Sequence, residues 1–175
     1  MTQEGLKSDF TTIFERENDA IFRYCYWRVS NRELAVDLTQ ETFARLWSEM
    51  NRGKIIDNPK PFLYLVAKRL IIDWYRKSKS LSLESLYEDE DNPFDPKDEE
   101  AHLAIEKDSD TKRVLSLVKK LDASYQEVLQ LRFIEGLPPR DIAKVLRIGA
   151  NVVSVRLTRA MRALRELAGI DIEKL

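Results

Sequence analysis

"NRELAVDLTQETFARLWSEM", residues 31–50, decides the fold class, because its side chains sort by a helical period. On a wheel of about 100° per residue, Val36, Phe43, Leu46, Trp47 and Met50 share one face, which is expected to be core. Leu34, Leu38, Glu41 and Arg45 fall on the far side, with Asp37 and Gln40 nearby. Two leucines in that charged setting call for a cover. A partner helix would provide one, and so would another helix of the same domain. Just upstream, Ser30 and Glu33 read as an S-x-x-E capping box that opens the helix.

The same period extends to both sides. Residues 8–29 are predicted to form a preceding helix, rich in Phe10, Ile13, Phe14, Ile21, Phe22 and the run Tyr24 to Trp27. A third helix is predicted after "DNPKPF", where prolines pre-set its entry. Leu63, Ala67, Leu70, Ile71 and Trp74 define its buried stripe, with Lys68, Arg69 and Arg76 away from it. Phe62, Tyr64, Trp74 and Tyr75 are interspersed with these cations. Cations with aromatics can hold and stack unpaired bases, although basic residues also simply solvate a helix while aromatics pack.

Charge then changes sign along the chain. Residues 60–79 carry a net +5, residues 84–110 carry twelve acidic side chains against two lysines, and residues 140–166 return to +5. The acidic stretch contains two prolines and little apolar period, so it reads as a solvated linker. It either holds two domains apart or occupies a basic channel in a partner in place of nucleic acid. Two basic helical segments joined by an acidic tether suggest two contacts with one polyanion.

Past the linker, helices are predicted near 111–119 and 122–134, then "EGLPPRDIAKVL", whose Pro139 suits a first helical turn. That scaffold helix is expected to present Ile142, Ala143 and Leu146 inward. "LRIGANVVSVRLTRA", residues 146–160, supplies a turn and a second helix. Taking Val153 as inward gathers Leu157, Ala160 and Leu164 within about 40° of it. The opposite face holds Asn151, Val155, Thr158 and Arg162, with Ser154 and Arg165 at one edge and Arg159 at the other. If its amino-terminal end docks, Asn151, Ser154, Val155 and Thr158 lie nearest base edges. Asn reads adenine bidentately for roughly 1–3 kcal/mol, and Val or Thr methyls can meet a thymine methyl. Arg159, Arg162 and Arg165 lie further along and suit phosphates, which position without specifying.

Composition narrows the class. Five Gly in 175 residues, with abundant Leu, Glu, Arg and Ala, favour an all-α protein. One Cys and one His exclude a disulfide framework and a zinc site of the usual ligand count, and a reducing compartment follows as the default. No apolar run reaches transmembrane length and the amino terminus lacks a cationic-then-apolar pattern, so a cytoplasmic protein without membrane insertion is expected. The dense carboxylates sit in the linker without structural period, and His102 sits there too. No cofactor, metal or catalytic residue is expected, and the chain is read as a non-enzyme.

Residues 31–50 followed by "NPKPFLYLVAKRLIIDWYRK" resemble region 2 of bacterial RNA polymerase sigma factors of the extracytoplasmic-function (ECF) group. Asp37, Gln40, Glu41, Thr42, Phe43 and Trp47 fit that pattern, as do Asn58, Pro59, Phe62, Leu63, Ala67, Asp73 and Arg76; Leu70 departs from it, standing where Asn is common. Residues 121–166 resemble region 4. The resemblance implies two small helical domains, residues 1–79 and 111–175, joined by the acidic linker 80–110. It implies an initiation factor that binds core RNA polymerase and directs it to promoters.

By position, Leu34, Asp37, Leu38, Gln40, Glu41 and Arg45 are expected to dock the clamp helices of the largest polymerase subunit. Lys60, Phe62, Lys68, Arg69, Tyr75, Arg76 and Lys77 are expected to recognise the −10 element and hold its melted strand. The resemblance assigns no residue of the loop near 51–60 to a pocket for a flipped base. Asn151, Ser154, Val155, Thr158, Arg159, Arg162 and Arg165 are expected at the −35 element, with the flap of the second-largest subunit a further contact of the factor. The family's turn usually reads L-G-I-S, where this chain has Leu146 to Gly149. A non-Gly residue in a left-handed turn costs roughly 1 kcal/mol and a Gly cap in place of Ser only a few tenths. The family often has Lys or Arg at Ser154 and Ser at Val155, so this reader is less cationic at its tip, and upstream affinity is expected to be low, with another DNA-bound protein assisting. An anti-sigma protein covering both domains is compatible with this reading. The competing reading is a stand-alone helix-turn-helix regulator, which needs residues 135–166 but no polymerase-binding domain.

Overall fold

The structure, a computed structural model, describes residues 3–82 and 109–169. The acidic linker and His102 lie outside the described residues. Every regular element among those described is helical, and the chain divides into two compact units, residues 1–101 and 102–175.

The first unit contains α1 (Gln3–Val29), α2 (Arg32–Asn51) and α3 (Pro59–Ser82), each packed on the other two. Ile21, Tyr24, Cys25, Ala35, Leu46, Leu63, Tyr64 and Ala67 are fully buried between them. Tyr24 and Tyr64 meet edge to face with centroids 5.0 Å apart. Beneath them, the buried Arg28 lays its guanidinium 3.4 Å over the Tyr24 ring and donates from Nη1 to the Tyr24 carbonyl at 3.1 Å. The Tyr75 hydroxyl donates to the Arg28 carbonyl, so α3 is fastened to the end of α1.

The α1–α2 corner corrects the capping assignment. Ser30 adopts φ 48°, a left-handed terminator for α1, with its amide donating to Tyr26 O at 2.9 Å. An N-cap needs extended backbone, which Ser30 therefore lacks. Asn31 takes that role at φ −134°, its Oδ1 accepting from the Leu34 amide at 2.9 Å. Glu33 is displaced one place from the position that could close a capping box.

The second unit contains α4 (Ser109–Val118), α5 (Ala123–Leu129), which runs on as one π-helical turn over Gln130–Ile134, then α6 (Pro139–Leu146) and α7 (Ala150–Leu167). Gln126 Nε2 donates to Lys119 O and Leu121 O, at 3.2 and 2.8 Å, closing the α4–α5 corner. Val128, Leu131, Leu137, Ile142, Val145, Val153 and Ala160 form the core. On α6 the inward residues are Ile142 and Val145, whereas Ala143 and Leu146 are half-buried. Eight residues make barely two turns, so a small rotation of the helix exchanges which apolar neighbour faces inward.

Between α6 and α7, Arg147 sits at φ 55° and ψ 45°, the left-handed conformation that the sequence anticipates for this turn. Gly149 caps α7 at φ −66° and ψ 147° with no side chain to offer. The helix-turn-helix closes through backbone bonds alone, Ile148 N to Ala143 O and Val153 N to Gly149 O, both 3.1 Å.

Candidate nucleic-acid and polymerase interfaces

On α2 the exposed stripe contains Glu33, Asp37, Gln40, Glu41, Ala44 and Arg45. Glu41 and Arg45 pair at 2.9 Å one turn apart, both about half exposed. Such a pair contributes a few tenths of a kcal/mol and mainly fixes side-chain directions. The two leucines separate from the charges. Leu38 is buried at 7% exposure, and Leu34 is half-buried. Leu38 therefore cannot lie on an exposed docking patch as the wheel had it. The reason is that α2 lies against both α1 and α3, which widens its buried arc to Ala35, Leu38, Thr39, Thr42, Phe43, Leu46 and Met50. Thr39 and Thr42 tolerate that burial because their hydroxyls donate to Ala35 O and Leu38 O at 2.7 Å. Val36 and Trp47, counted as core, are half-buried at its edge.

On α3 the structure brings some of the expected residues into line and leaves others apart. Phe62, Arg69 and Arg76 recur every seven residues and fall within roughly 40° of one another on the helix surface. Arg69 and Arg76 are exposed and Phe62 is half-buried. Lys68 and Tyr75 form a second row on one flank, roughly 100–120° round the helix, Lys77 lies roughly 80° to the other side, and Lys60 lies on the back. Tyr75 is half-buried, with its hydroxyl engaged by Arg28 and its ring edge-on to Trp74 at 4.9 Å. Burial raises the hydroxyl's pKa, against the opposing charge of Arg28. Its part here is first to hold α3 to α1. Tyr64, grouped with the cation-flanking aromatics, is instead a core residue at 0% exposure.

The turn between α2 and α3 adds two residues that no periodic pattern singles out. Lys54 Nζ stands 5.7 Å over the Phe62 ring and 2.7 Å from Glu49 Oε2. That hydrogen bond, and then the lysine's charge, hold the Glu49 carboxyl below its ordinary pKa. Ile55 beside it is 84% exposed. Gly53, at φ 80°, makes the reversal that places Lys54 over Phe62. Only the tertiary contact reveals the grouping, because Lys54 and Phe62 share no element.

On α7, Val153 and Ala160 are buried while Leu157 and Leu164 are half-buried. Asn151, Ser154, Val155, Thr158, Arg159, Arg162 and Arg165 are all exposed. Five of them, Ser154, Val155, Thr158, Arg159 and Arg162, line one shallow open groove. Ser154 Oγ donates to Ala150 O at 3.1 Å and Thr158 Oγ1 to Ser154 O at 3.0 Å. Val152, outside the expected set, is exposed as well and lies at the front of the same helix.

Comparison with known proteins agrees with both units. The family described as Sigma-70 region 2 matches residues 13–81, and Sigma-70, region 4 matches residues 111–164. RNA polymerase sigma factor SigV of Bacillus subtilis is 29% identical over 155 residues, which cover 89% of this chain and 87% of SigV. ECF RNA polymerase sigma factor BldN of Streptomyces coelicolor is 25% identical over 97% of this chain, which spans 64% of BldN's length. Among solved structures, the sigma factor RpoE from Bartonella quintana, crystallised with the anti-sigma factor NepR, superposes with a TM-score of 0.69 at 19% identity, covering 93% of this chain and 98% of that one. CnrH, in complex with the cytosolic domain of CnrY, gives 0.64 at 22%, covering 94% and 90%. At such identities these two likenesses speak for the fold. The chain belongs to the sigma-70 family of RNA polymerase sigma factors, within its ECF group. It is thus a transcription initiation factor, and a stand-alone helix-turn-helix regulator is not favoured.

Proposed function

We propose that α2 docks this factor on the clamp helices of the largest polymerase subunit through Asp37, Gln40, Glu41 and Arg45, with Leu34 at the edge of the contact. The observation that carries this reading is the exposed polar stripe on a helix whose other sides are held by α1 and α3. A rigid helix presenting preset charges loses little freedom on binding. The row Phe62, Arg69 and Arg76, with Lys54 at its head, then holds the melted −10 strand, and Lys68 lies on its flank. Lys60, Tyr75 and Lys77 act beside it, on backbone phosphate or in support of the helix. Stacking at roughly 1–3 kcal/mol per base offsets the cost of unstacking. In the second unit α7 enters the major groove at the −35 element, and the same unit meets the flap of the second-largest subunit.

The factor works without catalytic groups of its own and, as a partner of the polymerase, in the cytoplasm. Among the described residues no helix is long and apolar enough to cross a membrane. The sigma factor RpoE, of similar fold and crystallised with the anti-sigma factor NepR, supports a second layer, in which an anti-sigma protein covers these surfaces and keeps the factor inactive.

Capture of core polymerase tests the docking surface. The pair Asp37→Ala and Glu41→Ala should leave stability within about 0.5 kcal/mol, since both sites are exposed, and should weaken capture at least tenfold. Undiminished capture would overturn the assignment.

A further inference from the structure

We infer that α7 recognises thymine methyl groups at the upstream element, with Val155 and Thr158 as the contact and Val152 at its margin; the inference rests on the proposal that α7 enters the −35 major groove. Val155 is 48% and Val152 42% exposed, and the exposed side chains around Val155, namely Asn151, Ser154, Thr158, Arg159 and Arg162, are polar or cationic. A single exposed valine is ordinary. Here Val152 and Thr158 each lie three residues from Val155, one on either side, and three of the groove's five lining residues are Ser154, Val155 and Thr158.

The hydroxyls strengthen the argument. Ser154 and Thr158 direct their hydrogens to backbone carbonyls one turn back. Toward DNA they offer acceptor lone pairs and, from Thr158, a methyl. Guanine presents two acceptors in the major groove, so this part of the groove has no donor to satisfy it. Thymine alone presents a methyl there, and the amino groups of adenine or cytosine suit the two hydroxyl oxygens. Arg159 and Arg162, at i+4 and i+7 from Val155, flank the apolar spot and reach the backbone on either side. A thymine methyl seated on Val155, with an adenine or cytosine amine beside it, satisfies every group that lines the groove. A guanine in the same place offers Val155 no methyl and finds no donor in Ser154 or Thr158.

Replacement of thymine by deoxyuridine removes the methyl and nothing else. Holoenzyme, assembled from core polymerase and the full chain, would be offered an upstream element selected from randomised DNA, with each thymine changed singly to deoxyuridine. Binding is expected to fall about fourfold at one or two thymines, the worth of one buried methyl group. With Val155→Ala holoenzyme the difference between thymine and deoxyuridine at those positions should shrink below about 1.5-fold. Placing 5-methylcytosine at the sensitive position should restore part of the loss that unmodified cytosine causes. Insensitivity to every deoxyuridine, with upstream binding still weakened by Arg162→Ala, would overturn the methyl contact while leaving α7 at the element. Indifference to upstream sequence altogether would overturn the −35 placement and this inference with it.

Discussion

Leu38→Ala separates the two faces of α2 more sharply than any charged substitution. Periodicity places Leu38 beside Glu41 and Arg45 on a docking patch, whereas the structure leaves only 7% of it exposed. Its carbonyl accepts from Thr42 Oγ1 at 2.7 Å, and alanine keeps that backbone bond. The substitution therefore removes packing alone. Buried Leu→Ala changes cost about 2–5 kcal/mol, and a site at the rim of the buried arc belongs near the lower end, about 2–3 kcal/mol. For a unit of this size each kcal/mol moves Tm by about 4–8 °C, so a fall of about 10–20 °C is expected. Trp27, Trp47 and Trp74, the chain's three tryptophans, all lie in the first unit, so fluorescence melting reports on it alone. Well below its lowered Tm, the Leu38→Ala chain should still capture core polymerase to within about threefold. A variant that melts like the wild type but loses the polymerase would refute the burial argument and return Leu38 to the interface.

Other consequences concern the turn, the thiol and the arginines. Arg147→Gly relieves about 1 kcal/mol of left-handed strain, and glycine's greater freedom when unfolded takes back about half of that. The second unit's circular-dichroism melt should rise by about 2–4 °C, and a fall would show that Arg147 makes a contact worth more than its strain. Burial, only partly countered by the hydrogen bond with Thr39 and the charge of Arg28, pushes the Cys25 thiol up to about 11. Because the folded value lies above the unfolded one, this contribution is intact below about pH 9 and lost as pH rises toward 11. Urea melts should show the wild type losing about 2–3 kcal/mol more than Cys25→Ala over that window, and equal losses would contradict it. Arg162→Ala should lower the salt dependence of upstream binding by about one counterion, uniformly across sequences; a change confined to one base pair would make Arg162 a base contact instead.

The sequence made legible whatever depends on one helix at a time. The inward Val153 and Ala160 of α7, the Pro139 start of α6 and the left-handed turn all follow from local period and local backbone preference. The burial of Leu38 and Tyr64 and the hydrogen bond of Tyr75 are not legible in one helix, because a second or third helix sets their surroundings. A wheel centred on the bulkiest residues put the middle of α2's core near Val36 and Trp47, while packing against two neighbours moved it toward Ala35 and Leu46. The cap moved by one residue because Ser30 was needed to end α1. Lys54 and Ile55 gave no periodic signal, since a turn has no face until its flanking helices are placed. The exposed cations and polar residues of α2 and α7 were found because solvent-facing positions remain when the core positions are removed.

Transcription from genomic DNA by core polymerase with and without this chain, with start sites mapped by sequencing, tests the central claim most directly. The chain should produce a discrete set of starts that share a −10 element, and Asp37→Ala with Glu41→Ala should abolish them while the folded protein remains. Specific DNA binding without polymerase, and no new starts with it, would contradict the account.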